Sequence, residues 1–432
     1  MNATAQPSLI KPRLCVMMFL QFFIWSTWYM PMWKFLGGIE GVTPEKIGWA
    51  YGSTGIAAMI SPFIVGLIAD RFFPTQIVFG VLHLLGAVFL YLAGTATAWG
   101  SFSTFLLLHL LCYMPTLALA NSLLFQNSKN PTRDAPPIRT LGTIGWIVAG
   151  VIVGSAFLVE GNFKIVWPEF LGGEKTPETW QGLGYTAWPY YLGVGASLLL
   201  GLFAFTMPHT PPQLKGQKAS IGDILGLKAI RLMKDRSFAM FIVSSLLICI
   251  PLSFYFQSTN GFLTQMGVPN SEGVMTLGQV SEILFLFMIP FFFRKFGVKI
   301  MLGIGMAFWV IRYALFASAG PEAHALLYLG VLFHGICYDF FFFTGQLYVD
   351  QRAPEDVRSS AQGFIAFVTL GVGMFIGGIL NGWWAGRNTD ADKVVDWPAI
   401  WWFPAIMASV VLVIFWFTFN DKSKSGDTES TS

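Results

Sequence analysis

The chain has 432 residues, of which 54% are hydrophobic and only 11% are charged, whereas ordinary soluble domains carry roughly 25% charged residues. This composition excludes a soluble globular protein. Each bilayer crossing needs about 20 apolar residues, so the length accommodates a dozen crossings, short loops and no separate soluble domain. The net charge of +3 is too even to indicate a nucleic-acid partner. All four cysteines lie inside apolar runs, and neither a disulfide framework nor a metal site is expected.

Apolar runs bounded by charges or by Gly and Pro predict twelve transmembrane helices in two sets of six. The first six runs cover residues 14–36, 47–69, 76–97, 101–125, 138–159 and 187–207. The second six cover residues 237–263, 275–293, 299–319, 323–347, 359–384 and 397–419. The chain is therefore predicted to be an all-α polytopic membrane protein.

The polar stretch between the two sets divides the chain into domains. We expect an N-terminal six-helix bundle at residues 1–208, a cytoplasmic linker at 209–236, a C-terminal six-helix bundle at 237–420 and a cytoplasmic tail at 421–432. Within the linker, Ile224 to Met233 form a basic amphipathic segment that is typical of a membrane surface.

The distribution of basic residues predicts the orientation. Most of the 26 Lys and Arg residues fall in the segments that share a side with the two termini. Because basic loops remain in the cytoplasm, both termini are expected there. Short basic turns follow the second and the eighth predicted helix, at Arg71 and Arg294, which is consistent with an internal repeat of six helices.

Ionisable side chains inside the predicted helices are the first candidates for function. Placing such a group in hydrocarbon costs at least a few kcal/mol, so these groups tend to face a cavity. Each of these groups could instead have a structural role, in which its side chain reaches the membrane surface or ties two helices together. This role suits arginine better than a carboxylate. The four candidates are Arg139, Glu282, Arg312 and Asp339.

Helical spacing adds polar and aromatic neighbours to three of these charges. Arg139, Thr143 and Trp146 share one face of the fifth helix, as Gln279 and Glu282 share a face of the eighth. On the tenth helix, His334 and Tyr338 lie one turn apart with Asp339 beside them. The first helix adds Trp25, Trp28 and Tyr29, which could stack on a flat ligand, although aromatic stripes in membrane helices more often serve packing.

The motifs of hydrolases, metalloenzymes and P-loop ATPases are absent from the sequence. An enzyme is therefore not expected, and transport would be driven by an ion gradient or by the substrate's own gradient rather than by ATP hydrolysis. No cofactor is expected. Buried carboxylates are suitable proton carriers, and this role is expected of Asp339 or Glu282.

Several stretches of the sequence resemble one transporter family. The segment GLIADRFF resembles the loop motif of the major facilitator superfamily, and the combination of PPIRTLGTIGW, GQVSEILF and HGICYDFFFFTG is similar to the nucleoside:proton symporter family of bacterial inner membranes within that superfamily. The first helix and the YDFF stretch look closest to a subgroup of nucleoside transporters distinct from the best-studied purine and pyrimidine permeases.

The resemblance implies a two-bundle facilitator fold and proton-coupled nucleoside uptake by a monomer in the cytoplasmic membrane. It implies a substrate site in which Trp146 stands where the family often has Phe, His334 stands where the permeases have Tyr, and Gln257 substitutes for polar residues missing from helix 7. The full set of implied substrate-binding residues is Arg139, Thr143, Trp146, Gln257, Gln279, Glu282, His334, Tyr338 and Asp339.

The sequence leaves other functions open. Much of the same chemistry would suit proton-linked transport of a sugar or another polar metabolite, or drug export. A membrane sensor that binds a nucleoside without transporting it is a further alternative. The sequence assigns no role to Arg312 or to the loop at residues 160–188.

Overall fold

The computed structural model describes residues 9–128, 130–177, 179–212, 227–354 and 357–420. Each of the twelve predicted segments contains a helix, which confirms the all-α polytopic fold. The first six helices are α1 (Ile10–Tyr29 and Met32–Gly37), α2 (Pro44–Ile64), α3 (Thr75–Gly94), α4 (Trp99–Asn127), α5 (Pro131–Ser155) and α6 (Trp188–Ala204). The second six are α7 (Arg236–Gln265), α8 and α9 (the parts of Ser271–Ser318 before and after Gly297), α10 (His324–Arg352), α11 (Arg358–Ala366, Phe367–Gly373 and Met374–Arg387) and α12 (Trp397–Thr418).

Within the described residues, nine helices are long and apolar enough to cross a membrane by length and composition. The longest of them, Ser271–Ser318, contains two predicted crossings. It bends at Gly297, whose φ of 70° lies in the left-handed region that glycine adopts without strain. The loop predicted between residues 293 and 299 is therefore a sharp bend in an otherwise helical segment.

Helix α5 begins seven residues before the predicted start at residue 138. The Asn130 side chain accepts a hydrogen bond from the backbone N–H of Arg133, and Pro131 occupies the first turn, where its missing N–H costs nothing. Arg139 consequently lies two turns inside the helix. The apolar run that the sequence assigns to the end of this helix, residues 156–159, instead forms a β-strand.

A small antiparallel sheet follows α5. Its strands are β1 (Ala156–Val159), β2 (Asn162–Ile165) and β3 (Gln181–Gly182), in the order β2-β1-β3. Glu160 and Gly161 connect β1 to β2 with positive φ values of 51° and 79°, the conformation of a tight hairpin turn. The sheet lies at the end of the molecule that also carries Lys34, called here the Lys34 end.

The buried apolar side chains form two main clusters, one built from residues 14–207 and the other largely from residues 229–419. This pattern accords with the two bundles predicted from the sequence, whose boundaries stay a prediction. The tail at 421–432 and linker residues 213–226 lie outside the described residues, and residues Leu227–Lys234 form a 3₁₀ helix.

Helices of the two halves pack closely at the Lys34 end. A Cβ atom added to Gly48 of α2 would lie 2.6 Å from the carbonyl oxygen of Gly378 in α11, and one added to Gly154 of α5 would lie 2.6 Å from the backbone nitrogen of Gly273 in α8. Only glycine permits backbones to approach so closely, so these positions seal the two halves against each other.

Candidate binding cavity

A cavity of about 710 Å³ lies between the two halves. This volume is within the range of roughly 300–1,000 Å³ that small-molecule sites occupy. The cavity extends from the middle of the bundle to the opposite end from Lys34, called here the Arg71 end, where Asp70, Arg71 and Ser360 form its lining. The molecule is therefore closed at the Lys34 end and open toward the Arg71 end.

The wall from the first half is largely aromatic. Trp25 and Tyr29 of α1 pack against Trp146 of α5, with ring centroids 5.6 and 6.3 Å apart. The hydroxyl of Ser26 donates a hydrogen bond of 2.9 Å to the carbonyl of Trp146, which holds α1 and α5 in register here. The indole N–H groups of Trp25 and Trp146 have no partner among the described residues, so this wall offers ring faces together with two unused donors.

The wall from the second half is polar. Gln279 and Glu282 of α8 face the cavity together with His334 and Tyr338 of α10. These two helices touch at Gly335, where an added Cβ would lie 2.5 Å from the backbone of Ser281, and the Ser281 hydroxyl accepts a 3.0 Å hydrogen bond from the Gly335 N–H. This contact explains how side chains some fifty positions apart in the sequence come to line one wall.

Backbone irregularities coincide with the cavity. A π-helical turn occurs at Val65–Ala69 in α2, at Asp339–Phe343 in α10 and at Phe367–Gly373 in α11. Such turns carry an extra residue, shift the facing of the side chains that follow and are frequent at functional sites. Each of the three lies in or directly beside the cavity lining.

The structure brings six of the nine predicted site residues to the cavity lining: Thr143, Trp146, Gln279, Glu282, His334 and Tyr338. The other three lie beside it. Asp339 follows Tyr338, is 3% exposed and has an oxygen, Oδ2, without a hydrogen-bond partner in the described structure. Gln257 follows the lining residue Phe256, is 2% exposed and leaves its Oε1 unpaired among the same residues. Arg139 is exposed and lies one turn before Thr143.

Part of the lining consists of residues that were not predicted from the sequence. Thr54 and Ser61 of α2 reach the cavity, as does Phe367 of α11. The spacing of Thr54 and Ser61, two turns apart on one helix face, is a signal that the sequence does contain.

At the Arg71 end, Asp70 and Arg71 follow the π-turn of α2 and border the mouth of the cavity. Partial burial raises the pKa of Asp70, and the charge of Arg71 partly offsets this effect. The Nε of Arg71 has no hydrogen-bond partner within the described residues.

At the Lys34 end, an ion pair joins the two halves. The Nζ of Lys34 lies 2.7 Å from Oε1 of Glu272 and donates a 2.8 Å hydrogen bond to the hydroxyl of Ser271. The two charged side chains are only 8% and 4% exposed. Asn270 adds a hydrogen bond from its side-chain amide to the carbonyl of Gly154. A charge pair in such a dry contact is a strong constraint on the relative position of the halves.

No group of three or more His, Cys, Asp or Glu side chains in the described ranges is arranged to hold a metal ion. The cavity lining itself carries aromatic rings, amides, an imidazole and a carboxylate, which offer stacking and hydrogen bonding.

Comparison with known proteins agrees with this picture. The family model described as nucleoside H+ symporter matches residues 9–424. YegT of Escherichia coli (strain K12) is 40% identical over 417 residues, covering 95% of this chain and 93% of its own length. The xanthosine permease of the same organism is 32% identical over 427 residues, with 95% and 96% covered. A crystal structure of the nucleoside transporter NupG superimposes with a TM-score of 0.81 at 29% identity, covering 96% of this chain and all of that one.

Proposed function

We propose, because this chain belongs to the nucleoside H+ symporter family, that it couples the uptake of a nucleoside to the entry of protons across the bacterial cytoplasmic membrane. The observation that carries the proposal is the cavity between the two halves, which has an aromatic wall on one side and a wall with carboxylate and amide groups on the other. The permease and transporter activities named for its relatives support the same substrate class.

The chemistry of the two walls suits a nucleoside. A nucleobase is flat and stacks on rings such as those of Trp25 and Trp146. Ribose hydroxyls are hydrogen-bond donors, for which the carboxylate of Glu282 and the unpaired amide oxygen of Gln279 are acceptors. The same acceptors would also bind a sugar, so the aromatic wall is the feature that favours a nucleoside.

We assign the Arg71 end to the cytoplasm. Arg71, Arg294 and Arg352 lie at the helix ends on this side, and basic residues are enriched in cytoplasmic loops. In this orientation the cavity opens to the cytoplasm and the Lys34 end is closed to the outside. A rocking motion of the two halves would open the other side, as in other transporters built from repeats.

The proposed proton carriers are Asp339 and Glu282. A carboxylate in a dry helical bundle changes its preferred surroundings when it gains or loses a proton, because only the charged form demands solvation. Protonation would therefore shift the equilibrium between the two states of the carrier, provided that they solvate the carboxylate differently. The unpaired Oδ2 of Asp339 makes this residue the first candidate.

Reconstituted protein in proteoliposomes tests the proposal. We expect accumulation of uridine or adenosine when the outside is acidic, and equilibration without accumulation when the proton gradient is abolished. A matched panel of nucleobases and sugars should show little uptake. Accumulation that does not respond to the gradient would contradict proton coupling, and uptake of a sugar in place of nucleosides would contradict the substrate class. Binding of nucleosides without any flux would indicate a sensor.

A further inference from the structure

Arg312 of α9 is a buried cation to which neither the sequence nor the cavity lining assigns a role. Its side chain is 0% exposed, and no carboxylate of the described residues forms an ion pair with it. The guanidinium lies 4.1 Å from the ring centre of Tyr255 and 5.0 Å from that of Tyr313. Ring faces stabilise a buried cation only in part, so Arg312 also needs hydrogen-bond acceptors.

The hydrogen bonds of Arg312 run toward the cavity wall. Its Nη2 donates to the hydroxyl of Tyr313 at 3.2 Å, and that hydroxyl donates in turn to the carbonyl of Pro251. Its Nη1 lies 3.1 Å from Nδ1 of His334, which lines the cavity. Arg312 thus connects the interior of the second half to a residue of the binding wall.

This contact determines which ring nitrogen of His334 carries the proton. A guanidinium has five N–H donors and no acceptor, so Nδ1 of His334 must accept with its lone pair. A neutral imidazole that accepts at Nδ1 carries its proton at Nε2. Within the described structure no protein group forms a hydrogen bond with Nε2.

The ring of His334 is also held in place. It stacks on Tyr255 with centroids 4.8 Å apart and planes 16° from parallel, and Phe256 meets it edge-on at 5.9 Å. The backbone of α8 approaches from another side, since a Cβ added to Gly278 would lie 2.9 Å from Cβ of His334. A ring fixed in this way offers its N–H in a defined direction.

We propose that Arg312 is a positioning residue that locks His334 as its Nε2–H tautomer, so that this N–H donates a hydrogen bond to an acceptor atom of the substrate. The inference rests on the proposed nucleoside function, in which the acceptor is a carbonyl oxygen or a ring nitrogen of the base. Glu282 and Gln279 supply acceptors on the same wall, and His334 supplies a complementary donor.

Two substitutions of His334 distinguish the roles of its two ring nitrogens. The amide nitrogen of glutamine reaches the position of Nε2, whereas asparagine reaches only that of Nδ1. We expect His334→Gln to bind the nucleoside within about threefold of wild type and His334→Asn to bind about tenfold more weakly, the effect of one lost hydrogen bond. Equal affinity of His334→Asn and wild type in calorimetric titrations would overturn the proposal.

The role of Arg312 is tested by combining substitutions. Arg312→Met should weaken binding by up to about twofold in the wild-type background, where only part of the molecules then carry the proton at Nε2. It should leave binding unchanged in the His334→Gln background, which needs no tautomer. An equal loss in both backgrounds would show that Arg312 acts only on the fold. Size-exclusion chromatography and thermal unfolding verify that each variant is folded.

A spectroscopic measurement needs no Arg312 variant. NMR spectra of wild-type protein labelled with ¹⁵N-histidine contain signals of the His334 ring nitrogens, which are identified because they are missing from the spectrum of His334→Gln. The chemical shifts of these signals report which nitrogen is protonated. A protonated Nε2 with a bare Nδ1 is expected, and the reverse would overturn the proposal. Because this measurement requires no ligand, it is independent of whether wild-type protein binds nucleosides, which is the separate test of the proposed function.

Discussion

In the first half of the chain, His83 lies in a polar network that closes on itself, whereas the polar groups of the second half are left incomplete beside the cavity. Gln21 donates to Thr116 at 2.8 Å and accepts from His83 at 3.0 Å, and the other nitrogen of His83 lies 3.3 Å from the hydroxyl of Ser197. By contrast, Gln257, Gln279 and Asp339 each have a buried oxygen without a partner among the described residues.

The difference between these two clusters separates a structural use of polarity from a functional one. Buried polar atoms are normally paired, because an unpaired one costs about 1–3 kcal/mol. The first cluster meets that rule and ties α1, α3, α4 and α6 together. The second does not meet it, and its unpaired atoms are those to which a ligand or a proton could bind.

The largest expected effect is on Asp339→Asn. One proton entering across 100 mV supplies about 2.3 kcal/mol, which sustains roughly fiftyfold accumulation, and a variant without the proton carrier should lose this accumulation while it retains counterflow. Asp350→Asn on the same helix, where the carboxylate is exposed and 3.6 Å from Arg358, is the matched control.

Uptake and counterflow measured in the same proteoliposomes decide the role of Asp339. Unchanged accumulation would transfer the role of proton carrier to Glu282. Loss of counterflow as well as accumulation would indicate that Asp339 binds the substrate or maintains the fold.

The closed network should respond in stability alone. Gln21→Leu removes the partner of His83 Nε2 and the donor to the Thr116 hydroxyl. We expect the free energy of unfolding to fall by about 1–3 kcal/mol with little change in nucleoside affinity. Gln126→Leu, an exposed position of the same bundle, should change stability by less than about 0.5 kcal/mol. Denaturation curves give the loss in free energy of unfolding, and calorimetric titrations give the loss in free energy of binding. A larger loss in binding than in unfolding for Gln21→Leu would contradict a purely structural role of this network.

The open cluster should respond in binding alone. Gln279→Leu removes an amide whose oxygen has no partner within the described residues, so stability should stay the same or rise. Nucleoside affinity should fall about fivefold to tenfold. A loss of stability without a loss of affinity would indicate that Gln279 has a structural role, like Gln21 and His83, rather than a role in binding.

The smallest effect concerns Asp235, which caps α7 outside the membrane. Partial burial acts to raise its pKa, but hydrogen bonds from the N–H groups of Phe238 and Ser237 and from Arg352 hold it below the ordinary value of 3.8. Because the pKa of Asp235 is lower in the folded than in the unfolded chain, its carboxylate stabilises the fold at pH values above 3.8. This stabilisation is lost as the pH falls through the pKa of the folded state.

Replacement of Asp235 sharpens this expectation. Asp235→Ala should cost about 1 kcal/mol near neutral pH, while Asp235→Asn keeps the cap and loses only the charge. Melting temperatures of wild type and Asp235→Asn should converge as the pH falls below about 3.8. A difference that is constant with pH would exclude the charge as its cause.

The number of crossings and their approximate positions were predictable because the bilayer imposes an apolar run on each crossing. The π-turns were not, since one inserted residue hardly alters the hydropathy of a run. The strand at residues 156–159 was missed for a related reason: Ala, Phe, Leu and Val are apolar in either conformation.

The cavity was predictable where one helix carries two polar residues on one face, as Gln279 and Glu282 do. Contacts between helices were not predictable from such spacing. Arg312 and His334 belong to different helices, and the sequence contains no sign that they touch. Lys34 and Glu272 lie near the ends of their helices, where charged residues are common and exposed, and only the packing of the two halves buries them.

The ion pair between Lys34 and Glu272 has a consequence for the kinetics of the proposed cycle. While the contact is dry, the attraction of the two charges is only weakly screened. Once the halves begin to part, water enters and hydrates both charges, which repays much of the work of separating them. Such a pair resists small fluctuations but offers little resistance after the first water molecules arrive. The closed end should therefore open in an abrupt step rather than by gradual widening.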